Sequence, residues 1–189
     1  MAMKLNDNMI RYYGLSESDL NFIMSCFIPL TLKSNEYFLK EGSISDWIGY
    51  VKTGVLRTFI YDDDADEVTT QFHPSGSLVI SVESFNNRTP SKENIVTVND
   101  SDMLVISYDK MMEVYRVVPV WHQVCKDIAD KNNNDLVARS VQFQTLSAAE
   151  RYRQFCSQNP EVTKYVALRH IASYLGIDIA TLSRIRSRK

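Results

Sequence analysis

The apolar positions of this 189-residue chain change their spacing twice, and the changes divide it into three parts. Leu20, Ile23 and Met24 fall at helical spacing behind Ser16, a capping residue type, with Glu17 and Asp19 in the first turn. A short N-terminal helix is predicted there. From Phe27 to about Ile106 the pattern becomes short β-rich runs separated by turn signals, at 29–32, 37–40, 47–52, 55–61, 67–72, 78–82, 95–98 and 103–107. Eight such strands predict a jelly-roll-like β-roll. Lys52-Thr53-Gly54-Val55 reads as a tight hairpin, and Asp62-Asp63-Asp64-Ala65 with Asp66 and Glu67 as a second hairpin tip.

After Tyr108 the spacing is helical to the end of the chain. A short helix over 109–117 stops before Pro119, because proline cannot continue a helix from behind. Trp121, Cys125, Ile128, Asn132, Leu136, Arg139 and Phe143 then recur at intervals of three and four. They mark a helix of about 25 residues, or roughly 37 Å. A mixed stripe on so long a helix predicts an interface between two copies, with Trp121, Cys125, Ile128, Asn132 and Leu136 as its candidates. Packing against the chain's own β-roll is the alternative. Ser147 and Glu150 form a capping-box pair that starts a further helix, expected to end near Asn159-Pro160.

In the last part, Leu168, Ile171 and Leu175 share a helical face that Gly176 ends, since glycine accepts the positive φ of a helix terminus. Ala172 is small enough to let a second helix cross closely, and Asp178 is placed to cap that helix. With Leu182 and Ile185 turned inward, Ile179, Ala180, Thr181, Ser183, Arg184 and Arg188 stay on the outer surface. This is the pattern of a helix-turn-helix, whose second helix enters the DNA major groove. Arg169, Arg186 and Lys189 complete the DNA-facing candidates.

Charge strengthens that reading. Residues 164–189 carry six basic side chains (Lys164, Arg169, Arg184, Arg186, Arg188, Lys189) against Asp178, a local charge of +5. The whole chain is at −2, so the remainder is at −7. A bulk repelled by phosphate and a tip attracted to it suit a nucleic-acid binder; a helical hairpin with a solvated basic face is the plainer alternative.

The 44% hydrophobic and 23% charged composition describes a globular chain with a core. No run reaches membrane-spanning length and no signal peptide is visible, so a cytoplasmic location and no membrane partner are expected. Cys26, Cys125 and Cys156 are odd in number and far apart, which speaks against a disulfide framework or a zinc knuckle. His73, His122 and His170 have no paired ligand spacing, so no metal is expected. The aspartate-rich tip lacks the glycine of a calcium loop and reads as a solvated turn. No nucleophile elbow, phosphate loop or CxxC occurs, and no enzymatic activity is expected.

These pieces, in this order, resemble the Crp/Fnr family of bacterial transcription regulators, over nearly the whole chain and most closely its short Bacteroidetes-type members. The carriers are Lys40-Glu41-Gly42, Val51 to Arg57, Pro74-Ser75-Gly76, Glu83-Ser84-Phe85 and the stretch from Ile171 to Arg186. The resemblance implies an α+β architecture: residues 1–108 as a cyclic-nucleotide-binding-like β-roll with N-terminal helices, 109–145 as a connecting and dimerisation helix, and 146–189 as a DNA-binding helix-turn-helix domain. It implies a homodimer reading a palindromic site on double-stranded DNA, with RNA polymerase and a small-molecule effector of unknown identity as further partners. The effector pocket would draw on Gly76, Ser77, Glu83, Ser84, Arg88, Lys92 and Asn94.

The chain departs from the family pattern at both ends. Cyclic nucleotides are held in the family by a Gly-Glu pair for the ribose and an Arg-Ser pair for the phosphate; here Ser77 follows Gly76, and the later positions fall near Lys92, Glu93 and Asn94. A carboxylate at the phosphate's place repels it. Neither cyclic AMP nor cyclic GMP is therefore expected as a cofactor, and the pocket is expected to hold another ligand or its own side chains, such as Phe85. In the recognition helix, Ile179, Ala180 and Arg184 stand where many relatives carry Arg, Glu and Arg, so one of three base readers remains. The two-stranded wing of larger relatives is not expected after Lys189. The alternative function is a ligand-sensing or protein-interaction module whose helix-turn-helix no longer binds DNA specifically.

Overall fold

A computed structural model describes residues 12–187, except the side chains of residues 131–136. Ser16 caps α1 (Glu17–Ser25) reciprocally: its hydroxyl accepts from the Asp19 N–H at 3.1 Å, and the Asp19 carboxylate accepts from the Ser16 N–H at 2.9 Å. Eight strands follow, β1 (Ile28–Leu32), β2 (Tyr37–Leu39), β3 (Trp47–Thr53), β4 (Leu56–Tyr61), β5 (Glu67–His73), β6 (Leu78–Val79), β7 (Asn94–Thr97) and β8 (Ser101–Ser107). They pair antiparallel in two four-stranded sheets, ordered β1-β8-β3-β6 and β2-β7-β4-β5. Leu39, Leu56 and Ile95 of one sheet meet Val51, Val79, Met103 and Val105 of the other, which makes the inter-sheet core.

Two local expectations are corrected. The turn at Gly54 joins no hairpin, because β3 and β4 lie in different sheets. Gly54 has φ +96, and a Cβ there would collide with Ser101 Oγ and come within 2.8 Å of the Asp100 carbonyl oxygen. The chain changes sheets where its backbone presses on the start of β8. The strand expected over 78–82 stops at Val79 and is followed by α2 (Val82–Asn87). A helical turn, closed by the Phe85 N–H donating to the Ser81 carbonyl at 2.9 Å, carries Phe85 into the core beside Tyr108, which a strand of alternating faces would not do. The β4–β5 hairpin does form: Asp62 Oδ1 accepts from the N–H groups of Asp64 and Asp66 at 3.1 and 2.9 Å.

His73, fully buried at the end of β5, ties the two sheets together. Its Nδ1 lies 3.0 Å from the Leu78 carbonyl and its Nε2 2.8 Å from Thr58 Oγ1. A carbonyl only accepts, so Nδ1 carries the proton and Nε2 accepts from the threonine hydroxyl. Burial pushes the imidazole pKa down to about 4.

The helical part comprises α3 (Tyr108–Val117), α4 (Val120–Thr145), α5 (Ala148–Gln158), α6 (Pro160–Tyr165), α7 (Leu168–Leu175) and α8 (Ile179–Ser187). Ser147 and Glu150 make the expected capping box on α5. The unexpected element is α6, since Pro160 occupies a first-turn position, where its missing N–H has no intrahelical acceptor to lose. Ile23, Ile48, Phe85, Ile106, Met111, Val114, Trp121 and Val124 form a second core where α1, α3 and the start of α4 lie on the β-roll. A third gathers Tyr152, Phe155, Val162, Ile171, Ala172, Leu175 and Leu182 from α5 to α8 and continues onto Val55, Phe72 and Val98 of the β-roll.

Candidate nucleic-acid interface and sensor region

The crossing of α7 and α8 follows from three residues. Gly176 adopts φ +59, and a Cβ there would stand 2.9 Å from the ring of Phe143 on α4, so the turn is also tight against the long helix. Ala172 is buried at the crossing. Asp178 Oδ1 accepts from the Thr181 N–H at 3.0 Å, the expected cap of α8. Leu182 is wholly buried, and this orients the rest of α8. Ile179, Ala180, Ser183, Arg184 and Arg186 are exposed, while Thr181 and Ile185 are half-buried. Arg184 turns its Nε back to the Ala180 carbonyl at 3.3 Å and leaves its terminal nitrogens outward. Among the described residues neither Arg184 nor Arg186 lies within ion-pair distance of a carboxylate. Arg169 is exposed on α7, its Nε 3.3 Å from His170 Nε2. Arg188 and Lys189 lie outside the described residues.

The long-helix candidates separate into two groups. Trp121, assigned to an intermolecular face from its spacing, is only 3% exposed and belongs to the chain's own core beside Val124. Cys125 and Ile128 pack partly against the same cluster. The cause is the short α3–α4 connection at Pro119, which folds the first turns of α4 back over the β-roll. Asn132 and Leu136 fall among the side chains outside the description. Among the described apolar side chains, those α4 leaves bare lie further along, at Val137, Val141 and Phe143; Val137 and Val141 are 64% and 51% exposed and one turn apart.

The seven effector-pocket candidates do not converge. Gly76 and Ser77 sit in a turn bonded to β3, the Gly76 N–H donating to the Val51 carbonyl and the Val51 N–H to the Ser77 carbonyl. Glu83 and Lys92 are exposed. Ser84 is buried, donating to the Thr89 carbonyl at 2.6 Å and accepting from the Ser45 N–H at 2.9 Å. Arg88 pairs with Asp46, donates to the Ser45 carbonyl at 2.8 Å and stacks over Tyr108 at 4.2 Å. Asn94 accepts from the Glu41 N–H at 3.0 Å. The groups that do converge are Ser81, Ser91 and Glu93. The Ser81 hydroxyl donates to Glu93 Oε2 at 2.9 Å, and Ser91 Oγ stands 3.3 Å from it and accepts from the Glu93 N–H at 3.0 Å. Ser81 and Ser91 were not singled out from the sequence, where serine in a polar run carries no sign of burial. Two surface depressions, of about 270 and 260 Å³, lie instead around Tyr37, Phe38 and Trp47, and none of the seven candidates lines them. Among the described residues no group of three or more His, Cys, Asp or Glu side chains could hold a metal ion.

A two-sheet β-roll, a long helix and a capped helix-turn-helix thus follow one another along the chain. Residues 29–117 match the model of the cyclic nucleotide-binding domain family. The transcriptional activator protein Anr of Pseudomonas protegens is 25% identical over 171 residues, covering 83% of this chain and 68% of Anr. Among solved structures, FixK2 from Bradyrhizobium japonicum superposes with a TM-score of 0.72 at 15% identity, covering 86% of this chain and 83% of FixK2. The c-di-GMP responsive global regulator CLP of Xanthomonas campestris superposes with a TM-score of 0.70 at 14% identity, covering 92% and 91%. Residues 29–117 are thus similar to cyclic nucleotide-binding domains, and the chain shares the fold of these regulators. No helix among the described residues is long and apolar enough to cross a membrane.

Proposed function

We propose that the protein is a DNA-binding transcription regulator, acting as a homodimer that sets two copies of α8 into successive major grooves of a palindromic site. The observation that carries this reading is the outer face of α8. Leu182 holds the helix down, Arg184 and Arg186 point outward without carboxylate partners among the described residues, and Asp178 is that segment's one acidic side chain. Phosphate attraction supplies affinity at such a face, and Arg184 supplies base discrimination. Ile179 and Ala180 offer apolar contact to thymine methyl groups in place of two charged readers. The dimer seam runs along Val137 and Val141 of α4.

Cyclic nucleotides do not fit the sensor region. Glu93 presents a carboxylate to Ser81, and the nearby guanidinium of Arg88 is committed to Asp46 and the Ser45 carbonyl. A cyclic phosphate there would meet like charge with no paired donor. RNA polymerase is the expected protein partner of such a regulator, and any effector is a molecule other than a cyclic nucleotide.

Selection of bound duplexes from a random DNA pool at about 150 mM salt, near the ionic strength at which the Debye length is about 8 Å, tests the function. A recovered palindrome, lost from the enriched pool with Arg184→Ala, is the expected result. The second reading, a sensing or protein-interaction module with a silent helix-turn-helix, is motivated by Ala180. It predicts duplex affinity without sequence preference that survives Arg184→Ala.

A further inference from the structure

β5 is an edge strand, and its outward backbone groups have no neighbouring strand to pair with. An unpaired strand edge must be covered by something. Here the cover is the helix-turn-helix domain of the same chain. The Ser173 hydroxyl on α7 accepts from the Thr69 N–H at 2.9 Å and reaches the Glu67 carbonyl at 3.3 Å, taking the place of one rung of a missing strand. Arg139 on α4 donates from Nη1 to the Thr70 carbonyl at 2.8 Å and from Nη2 to the Tyr174 carbonyl at 2.6 Å. One guanidinium thus joins three elements: the long helix, the sheet edge and the C-terminus of α7. It lies 3.8 Å over the Tyr174 ring and 5.4 Å from the Phe143 ring. Beyond it, Phe72 of β5 meets Phe155 and Tyr174 at ring separations of 6.0 and 5.0 Å. At the end of the strand the Glu161 carboxylate of α6 accepts from the Ser75 N–H at 3.0 Å and the Ser75 hydroxyl at 2.7 Å.

The docked arrangement leaves the outer face of α8 in solvent, with Ile179 45% exposed. These contacts on β5 and the turn that follows it come from α4, α5, α6 and α7. Arg139 Nε is buried in the seat with no hydrogen-bond partner among the described residues.

We propose that the open edge of β5 is the seat that holds the helix-turn-helix domain in its DNA-competent orientation, and that Arg139 is the positioning residue of that seat. The proposal rests on the DNA-binding reading above for its consequence, though not for the seat itself. In a protein whose sensor region does not fit a cyclic nucleotide, orientation is then preset by the fold, and an effector or partner would act by competing for the edge of β5. A domain that spends part of its time off the seat binds DNA more weakly in proportion to the docked fraction.

The test compares wild type, Arg139→Ala, Arg139→Lys and Ser173→Ala by amide hydrogen exchange of the full chain and by affinity for whichever duplex the wild type selects. In Arg139→Ala the Thr69 amide is expected to exchange at least tenfold faster, while amides inside the β-roll such as Ile95 keep their protection. Affinity for the selected duplex is expected to fall about tenfold with unchanged sequence preference. Arg139→Lys, which keeps the charge and loses the fork, should fall between. Ser173→Ala should expose Thr69 in the same way without touching a charged group. Unchanged Thr69 exchange in Arg139→Ala would overturn the seat whatever the DNA result. Released Thr69 with unchanged or higher duplex affinity would overturn the positioning role. If the wild type selects no duplex while Thr69 is released in the variants, the regulator reading fails and the seat stands.

Discussion

A guanidinium that meets the N7 and O6 acceptors of guanine discriminates against other bases by ~1–3 kcal/mol, whereas one that meets phosphate discriminates against none. Arg184→Ala is therefore expected to flatten preference at one base position per half-site by that amount. Binding to a panel of single-base operator variants checks it, and a loss spread evenly over the panel would assign Arg184 to phosphate instead. His73 makes a second prediction at this scale. Its pKa falls from 6.5 to about 4 on folding because burial penalises the imidazolium. The unfolded chain binds the extra proton first as pH drops, so stability is complete above 6.5, declines between 6.5 and about 4, and levels off below. The loss from this group is of order ~3 kcal/mol. Because burial also pushes the His170 imidazole down to about 4, the difference between urea midpoints at pH 7 and pH 4.5 is compared in wild type and His73→Gln; an equal difference in both would mean that His73 is not held neutral in the fold.

At the scale of elements, Gly54 and the long helix carry the tests. An alanine at Gly54 has to hold φ +96 and push its Cβ into Ser101, a strand start that has no freedom to move. The expected loss is ~2–4 kcal/mol, read from thermal or urea unfolding, since left-handed strain and overpacking add. A loss under ~1 kcal/mol would show that the β3–β4 crossing is looser than it stands here. On α4, Val137→Glu or Val141→Glu is expected to dissociate the dimer and remove specific DNA binding, because an isolated half-site loses its second groove. Light scattering decides the matter, and a variant that remains dimeric moves the seam elsewhere. Trp121 is no use for this test. Its substitution empties the chain's own core and would unfold the protein, whatever its oligomeric state.

For the whole molecule the prediction concerns charge. A bulk at −7 joined to a tip at +5 should bind DNA with steep salt dependence, each lost phosphate contact reducing the slope of log K against log salt by about 0.9. Arg169→Ala or Arg186→Ala should lower that slope without altering sequence preference, as measured by titration of one duplex across a salt series; a changed preference with an unchanged slope would make either residue a base reader. Titration calorimetry with cyclic AMP is expected to show no heat of binding, since Glu93 already fills the acceptor role opposite Ser81.

Local chemistry made much of this protein legible in its sequence. Ser16, Ser147 and Asp178 cap where their side chains can reach free N–H groups a few residues on, and Gly176 turns where only glycine turns cheaply. Strand runs and helical stripes show in the same way, because their periods follow from backbone geometry within one element. The family motifs lie in these local pieces, and so did the outer face of α8. Distance in sequence hid the rest. The side chains on which Trp121 closes come from α1 to α4, so a stripe on α4 alone cannot distinguish its own core from a second copy's surface. Gly54 looks like a hairpin glycine until the sheets are seen to separate there. The burial of Ser81 and Ser91 against Glu93, and the cover that Ser173 and Arg139 put over the edge of β5, join residues up to 106 positions apart. Such contacts depend on how whole elements pack, and that was decided only when the cores closed.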